Sequence, residues 1–183
     1  MKDSIKAKGV VYVDIKKPDR TVVSTVIENL VVNSGKEFFT KKIFNDSFEG
    51  RITKIGIGAK KDAQKYDDTL IRFNTVTSPT PSPIIKDIDF ASSAIEPAPA
   101  IPPHCANTIA YITTFFDTTD DTLRDSGGTP VTMQEVALIG TDGNSPEEEI
   151  IICRTTFDDD SPMVGFTKLV EDVVTVTWKL TFN

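Results

Sequence analysis

The side chains that most often carry chemistry are few in this chain and are poorly arranged for it. His104 is the single histidine and stands directly before Cys105. Neighbouring residues of an extended chain point to opposite faces, which disfavours a Cys–His nucleophilic pair. A zinc site needs three or four Cys or His ligands, and the chain has only these two residues and Cys153. Both cysteines lie in apolar or Pro-rich surroundings, which favours free buried thiols.

Acidic residues offer a second kind of chemistry, through calcium ligation or paired carboxylates. Asp158, Asp159 and Asp160 are consecutive, but no EF-hand spacing follows them, so we interpret them as solvated loop charges. The serines show no nucleophile-elbow pattern. The sequence therefore predicts no catalytic residue, no metal site and no cofactor, and it predicts that the protein is not an enzyme. Paired carboxylates of the glycosidase type need no proximity in the sequence, so they stay open as an alternative.

One pair of charged residues stands in an unusual place. Glu135 lies inside the apolar run MQEVALIG, and Arg154 lies inside the apolar run IIICRTTF. The two runs flank the polar segment Thr141–Glu149, which predicts a β-hairpin with a long loop. A charge within such a run is costly unless it is paired. We therefore predict a structural ion pair between Glu135 and Arg154 that fixes the register of the hairpin.

The elements around this pair are predicted to be mainly strands. The last segment, VTVTWKLTF, alternates strictly, which predicts a strand with one face in the core. Its predicted inward residues are Val174, Val176, Trp178, Leu180 and Phe182. Lys16–Arg20 is predicted to be a turn between the first two strands. The other predicted strands are Lys8–Ile15, Thr21–Ile27, Arg51–Gly58, Thr69–Val76, Ile84–Phe90 and Asn107–Phe116.

A single helix is predicted from Gly35 to about Asn45. Ser34 and Glu37 have the spacing of a capping box at its start. Its apolar residues have the spacing of a stripe, which we interpret as core packing. These residues are Phe38, Phe39, Ile43 and Phe44.

The pattern of mainly β segments at short spacing predicts an antiparallel β-sandwich of jelly-roll type, with one short helix and long loops. A closed barrel is the alternative. The 183 residues fit a single domain, 1–183. The acidic balance, with a net charge of −7, argues against a nucleic-acid partner. No apolar run approaches the ~20 residues of a membrane span, and the start lacks a signal-peptide pattern, so a soluble protein made in a cytoplasm is expected.

A proline-rich insertion or arm interrupts the pattern at about 78–103. Proline cannot donate to a ladder, so this stretch is predicted to be edge, arm or loop structure. Its second part, AIEPAPAIPP, is predicted to be an extended arm that contacts a neighbouring subunit, and an ordered insertion packed on its own domain is the alternative. The residues assigned to the contact are Pro97, Pro99, Ile101, Pro102 and Pro103.

Seven segments follow one another in a familiar order: NLVVNSGKEFFTKKIF, ITKIGIG, DDTLIRF, ITTFF, QEVALIG, IICRTTF and VTVTWKLTF. This order resembles that of small β-rich structural proteins of tailed bacteriophages, of the tail, fibre-attachment, baseplate or neck type. The resemblance covers roughly Asn29–Asn183 without the proline-rich insertion, and it rests on the order of the segments.

The resemblance implies a non-enzymatic virion protein that is made in the host cytoplasm and assembles with other virion proteins. It implies a homo-oligomer and no nucleic-acid or membrane partner. Two other interpretations stay open: a receptor- or carbohydrate-binding β-sandwich module, or a head-surface decoration protein. A hydrolase on a β-sandwich is a further alternative. The predicted burial of Trp178, the single tryptophan, counts against an aromatic sugar platform.

Overall fold

The computed structural model describes residues 7–60, 65–69, 73, 81–97, 108–120, 123–124, 127–144, 146–157 and 165–182. These residues form nine strands and one twelve-residue helix, α1 (Asn33–Phe44). The strands are β1 (Ala7–Lys16), β2 (Val22–Val31), β3 (Ile52–Gly58), β4 (Ile84–Asp87), β5 (Ala94–Pro97), β6 (Thr108–Phe116), β7 (Glu135–Thr141), β8 (Glu149–Thr156) and β9 (Val173–Phe182).

All paired strands are antiparallel neighbours in the order β4-β3-β7-β8-β2-β1-β9-β6-β5. Strand β2 joins the two halves of this sheet: its first part pairs with β1, and Leu30 and Val31 pair with β8. Beyond β4, the Asp89 N–H donates to the Thr113 carbonyl at 2.9 Å and brings that end of the sheet to β6. The sheet is therefore nearly closed, and the prediction of a mainly β, antiparallel fold with a short helix is confirmed.

The core lies between the two halves of the sheet. One wall comes from β1 and β9, where Val13, Val176 and Trp178 are fully buried. The opposite wall comes from β3, β7 and β8, where Ile57 and Leu138 are also fully buried. The predicted alternation of the C-terminal strand is confirmed for its inward residues Val174, Val176, Trp178 and Leu180, which are all buried.

The hairpin predicted between Met133 and Phe157 is confirmed as β7 and β8. The first hairpin is confirmed as well, with a Lys17 N–H that donates to the Thr21 carbonyl at 2.9 Å. Its second strand continues to Val31, where it meets β8.

The outer face of β3, β7 and β8 is covered by a second layer. Gly56 and Gly58 point to this face because the isoleucines that alternate with them, Ile55 and Ile57, are in the core. A Cβ atom at Gly56 would lie 2.8 Å from the Phe73 ring, and one at Gly58 would overlap the Glu135 carboxylate. The glycines thus leave space on the sheet for two side chains from elsewhere in the chain.

The predicted strand Thr69–Val76 is wrong at Thr69 and Phe73, the two of its positions that the structure describes. Phe73 is helical, and its N–H donates to the Thr69 carbonyl at 3.0 Å. Its ring is buried beside Ala137 and Ile139 in a second apolar cluster. The apolar residues that suggested a strand include one that covers a sheet from outside.

The predicted capping box is also wrong. The helix begins at Asn33, its N-cap is Val32, and no side chain caps it. The Ser34 hydroxyl instead donates to the Ile151 carbonyl at 2.5 Å, across to β8. Phe38 is buried as predicted, but Ile43 and Phe44 are 47% and 76% exposed, because only one side of α1 packs on the sheet.

The second part of the proline-rich stretch contributes a strand to the sheet. Ala94–Pro97 is a strand at the end of the sheet order, and Pro97 pairs with Thr108. This position fits the rule that proline is tolerated on edge strands. An edge position is among the structures predicted for this stretch, and the pairing with β6 fits the alternative of an insertion packed on its own domain for these four residues. Pro99, Ile101, Pro102 and Pro103 lie outside the described residues.

Candidate functional site: a buried ion cluster

The hairpin of β7 and β8 positions the charged side chains that the sequence singled out. In its register Glu135 stands opposite Thr156, and Arg154 stands opposite Ala137. Glu135 and Arg154 are therefore diagonal neighbours on the outer face, at a separation that long side chains can bridge. The register shifts between Leu138 and Ile139, where β8 carries one extra residue.

Glu135 and Arg154 are in direct contact. The Arg154 Nε donates to Glu135 Oε2 at 2.9 Å, and the Arg154 Nη2 lies 2.8 Å from the same oxygen. Both side chains are almost completely buried: 2% of the Arg154 side chain and 1% of the Glu135 side chain are exposed. The pair thus lies between the sheet and the layer that covers it.

A third residue, Asp68, completes what we call the ion cluster (Asp68, Glu135 and Arg154). Its Oδ2 accepts a hydrogen bond from the Arg154 Nη1 at 2.8 Å, and its side chain is 1% exposed. Asp68 stands 86 positions before Arg154 in the chain. One guanidinium therefore connects a carboxylate of its own sheet to a carboxylate of the covering segment.

Backbone donors supply further hydrogen bonds to the two carboxylates. The Lys60 N–H donates to Glu135 Oε1 at 3.2 Å, and the Lys65 N–H donates to Asp68 Oδ2 at 2.7 Å. Burial raises the pKa of Glu135, and Arg154 opposes this rise. Burial acts to lower the pKa of Arg154, but the carboxylates of Glu135 and Asp68 raise it. The guanidinium is therefore held in its charged form.

This geometry suits a structural role better than a reactive one. All three side chains are buried, and the guanidinium donates to both carboxylates. A general acid or base must reach the proton that it transfers. The ion cluster instead holds the segment around Asp68 against β7 and β8.

Sequence reasoning found two members of the ion cluster and missed the third. Glu135 and Arg154 were visible because each interrupts an apolar run. Asp68 stands beside Asp67 at the end of the charged stretch Lys60–Asp68, whose composition is that of a solvated surface loop. No local pattern links it to Arg154, because their contact depends on the fold.

A second charged group lies at one end of the sheet and was not predicted. Lys168 is fully buried, and its Nζ donates to the carbonyls of Asp120 and Leu169 at 3.2 and 3.5 Å. Nearby, the buried Asp172 accepts from the Lys17 Nζ at 2.7 Å. Burial lowers the pKa of Lys168, while Asp120 and Asp172 oppose this shift. These contacts connect three separate loops.

A surface cavity with a volume of about 670 Å³ lies beside this group. Its lining mixes both signs of charge with exposed apolar residues. The lining residues are Lys17, Pro18, Asp19, Arg124, Pro130, Leu169, Val170, Glu171 and Asp172. Mixed charge of this kind indicates no particular ligand.

The remaining candidates can be placed only in part. Cys153 is a free, buried cysteine whose pKa is raised by burial, whereas His104, Cys105 and Asp158–Asp160 lie outside the described residues. Within the described part of the chain, no three His, Cys, Asp or Glu side chains converge in a way that could hold a metal ion. In the same part of the chain, no helix is long and apolar enough to cross a membrane.

No protein-family model matches this chain, and comparison with curated proteins and with solved structures gives no match either.

Proposed function

We propose that this chain is a structural protein of a tailed-bacteriophage virion, an assembly or attachment component of the tail, fibre-attachment or neck region. The observation that carries the proposal is the order of the seven segments along the chain. Those segments with described bounds correspond to β2 with α1, then β3, β6, β7, β8 and β9. Six of the seven segments therefore fall on the helix and strands of the fold.

The chemistry of the described residues supports a role in binding other proteins. The ion cluster is buried and mutually paired, so it serves the fold. Large apolar side chains are exposed instead, among them Phe44 and Phe90 at 76% and 72%. Exposed aromatic side chains are typical anchors in protein–protein contacts. Other virion proteins and further copies of this chain are the proposed partners.

Trp178 makes a sugar-binding role the weaker hypothesis. A carbohydrate platform needs an exposed aromatic face, and Trp178 is fully buried in the core. Its place opposite Val11 and Ile112 on the flanking strands makes it part of the wall between the sheet halves.

The experiment measures the chain in purified phage particles and then examines particles made without it. Phage particles from the source of this gene would be purified on a density gradient, and the chain measured by mass spectrometry at each step. We expect a fixed copy number per particle. A nonsense allele should yield particles that lack a tail or fibre structure, and immunogold labelling should locate the chain there.

The control is the same allele complemented in trans with the intact chain, which should restore complete particles. The proposal fails if purified, infectious particles contain none of the chain. It also fails if the nonsense allele leaves particle structure and infectivity unchanged.

A further inference from the structure

Over most of its length, one edge of strand β2 has no strand partner among the described residues. On one side it pairs with β1 from Val22 to Asn29. On the other side it pairs with β8 only at Leu30 and Val31. We call the unpaired side of Val22–Ile27 the open edge.

The hydrogen bonds of β2 define which backbone groups point to the open edge. The Lys17 N–H donates to the Thr21 carbonyl, so the backbone N–H and C=O groups of the odd-numbered residues point to β1. The Glu28 carbonyl accepts a hydrogen bond from the Thr155 Oγ1, and Leu30 pairs with Arg154 of β8. The backbone groups of the even-numbered residues therefore point away from β1. In an antiparallel ladder this direction alternates residue by residue. The N–H and C=O groups of Val22, Ser24 and Val26 therefore point outwards.

The side chains along the open edge lack the usual protection against pairing. Natural edge strands carry charges, proline or a bulge that prevent contact with another strand. The segment Thr21–Ile27 has no charge and no proline, and its register with β1 is uninterrupted. Val22 and Val26 are 57% and 48% exposed. The nearest charges are Arg20 before this segment and Glu28 after it.

We propose that two copies of this chain pair through their open edges as antiparallel strands, with a two-fold axis at Ser24. In this register Ser24 faces Ser24 of the second copy, and Val22 faces Val26. Each of these pairs consists of outward-pointing residues, so each exchanges two hydrogen bonds. The paired sheets then form one continuous sheet across both copies.

Charge complementarity selects this register. At each end of this register, Glu28 of one copy comes next to the turn before β2 of the other copy, where Arg20 lies with a φ of 71°. Within one copy Glu28 is about 20 Å along the strand from its first residue, Val22, and Arg20 lies before that residue, so Arg20 and Glu28 cannot pair with each other. A shift by two residues towards Leu30 would require a residue that already pairs with β8. A shift the other way sets Arg20 against Val26 and leaves both charges unpaired.

This dimer does not rest on the proposed virion role, and it differs from the predicted contact through the proline-rich arm. It is an isologous interface, in which the same patch meets itself. Its area is small for a stable complex, below about 1,200 Å² in total, so dimerisation should depend on protein concentration.

The first test is the solution mass of the purified chain by light scattering over a range of concentration. We expect a monomer–dimer equilibrium for the wild type. Val26→Lys should raise the dissociation constant by about tenfold or more, because it replaces the apolar contact of Val26 with Val22 of the second copy by a cation on the pairing strand, twice per dimer. Thr175→Lys, on the outer face of β9, is the matched control and should leave the dimer intact.

The second test is Ser24→Cys. The two-fold axis would place the two introduced thiols on directly opposite residues, about 5.5 Å apart between Cα atoms, which a disulfide can span. We expect a covalent dimer on mild oxidation, above the level seen for the wild type and for Thr175→Cys. Circular dichroism and thermal unfolding should show that every variant is folded.

The proposal is overturned if the wild type stays monomeric at all concentrations. It is equally overturned if an oligomer forms that Val26→Lys does not weaken, or if Ser24→Cys cross-links no better than Thr175→Cys. A charge exchange tests the register itself: Arg20→Glu alone should weaken the dimer, and Arg20→Glu with Glu28→Arg should restore it.

Discussion

The two halves of the sheet differ in how many of their faces are buried. In the half formed by β3, β7 and β8, both faces are covered, and all seven residues of β7 are buried. In the half formed by β1, β9 and β6, one face meets the core and the other is partly open: Val176 and Trp178 are buried, whereas Thr177 between them is not. A charge in the covered half must therefore be paired, whereas charges on the open face can be solvated.

Arg154→Met should show the largest effect in this comparison. It would leave the carboxylates of Glu135 and Asp68 buried without their cation. We expect the free energy of unfolding to fall by about 3–5 kcal/mol, measured by urea denaturation. The exposed pair of Lys54 and Glu149 provides the control: Lys54→Met should cost no more than about 1 kcal/mol.

A combined variant distinguishes lost charge pairing from lost packing. If unpaired carboxylates cause the effect, Arg154→Met together with Glu135→Met and Asp68→Leu should recover much of the lost stability. A single Arg154→Met variant as stable as the wild type would contradict the assignment of the ion cluster.

Ile139→Ala and Val26→Ala compare outward-facing positions in the two halves. Ile139 points away from the main core but is fully buried under the covering layer with Phe73. We expect Ile139→Ala to lower the free energy of unfolding by about 2–5 kcal/mol. Val26→Ala should change it by no more than about 0.5 kcal/mol, measured on dilute protein. Equal effects would mean that the outer layer does not cover β7 in solution.

Gly35→Ala tests how closely α1 approaches β8. A Cβ atom at Gly35 would overlap the Ile152 carbonyl oxygen. In an open helix this change would stabilise the protein by about 1 kcal/mol. Here we expect the opposite sign, a loss of about 1–3 kcal/mol in thermal unfolding, because the helix must move away from the strand. A stabilised variant would contradict the close approach.

The open half was the easier one to predict from sequence. Its strands alternate, so VTVTWKLTF gave both the strand and its buried side. The covered half reads as continuous apolar runs, in which the period is lost. There the useful signal was the interruption, and Glu135 and Arg154 could be paired because each interrupts such a run.

Contacts between distant segments were beyond sequence reasoning. Asp68 looked like a solvated loop residue, and the apolar residues after it looked like a strand. Asp68 instead binds Arg154, and Phe73 packs on Gly56 and β7. Nothing near Asp68 in the sequence encodes these contacts. The glycines of IGIG are the one sign of this contact in the sequence, since glycine inside a strand is typical of a close approach but does not identify the partner.

Variants at Ser34 and Glu37 are expected to change the free energy of unfolding least. They distinguish the predicted helix start from the observed one. A capping box would make the two residues contribute together, each through the first turn of the helix. In the structure only Ser34 bonds beyond the helix, to the Ile151 carbonyl, while Glu37 forms an exposed pair with Lys41 at 2.8 Å. Ser34→Ala should therefore cost about 0.5–1.5 kcal/mol, and Glu37→Ala no more than about 0.5 kcal/mol, in urea denaturation. Their double variant should be additive, because the two contacts share no group. A coupling of about 1 kcal/mol between them would instead favour the capping box.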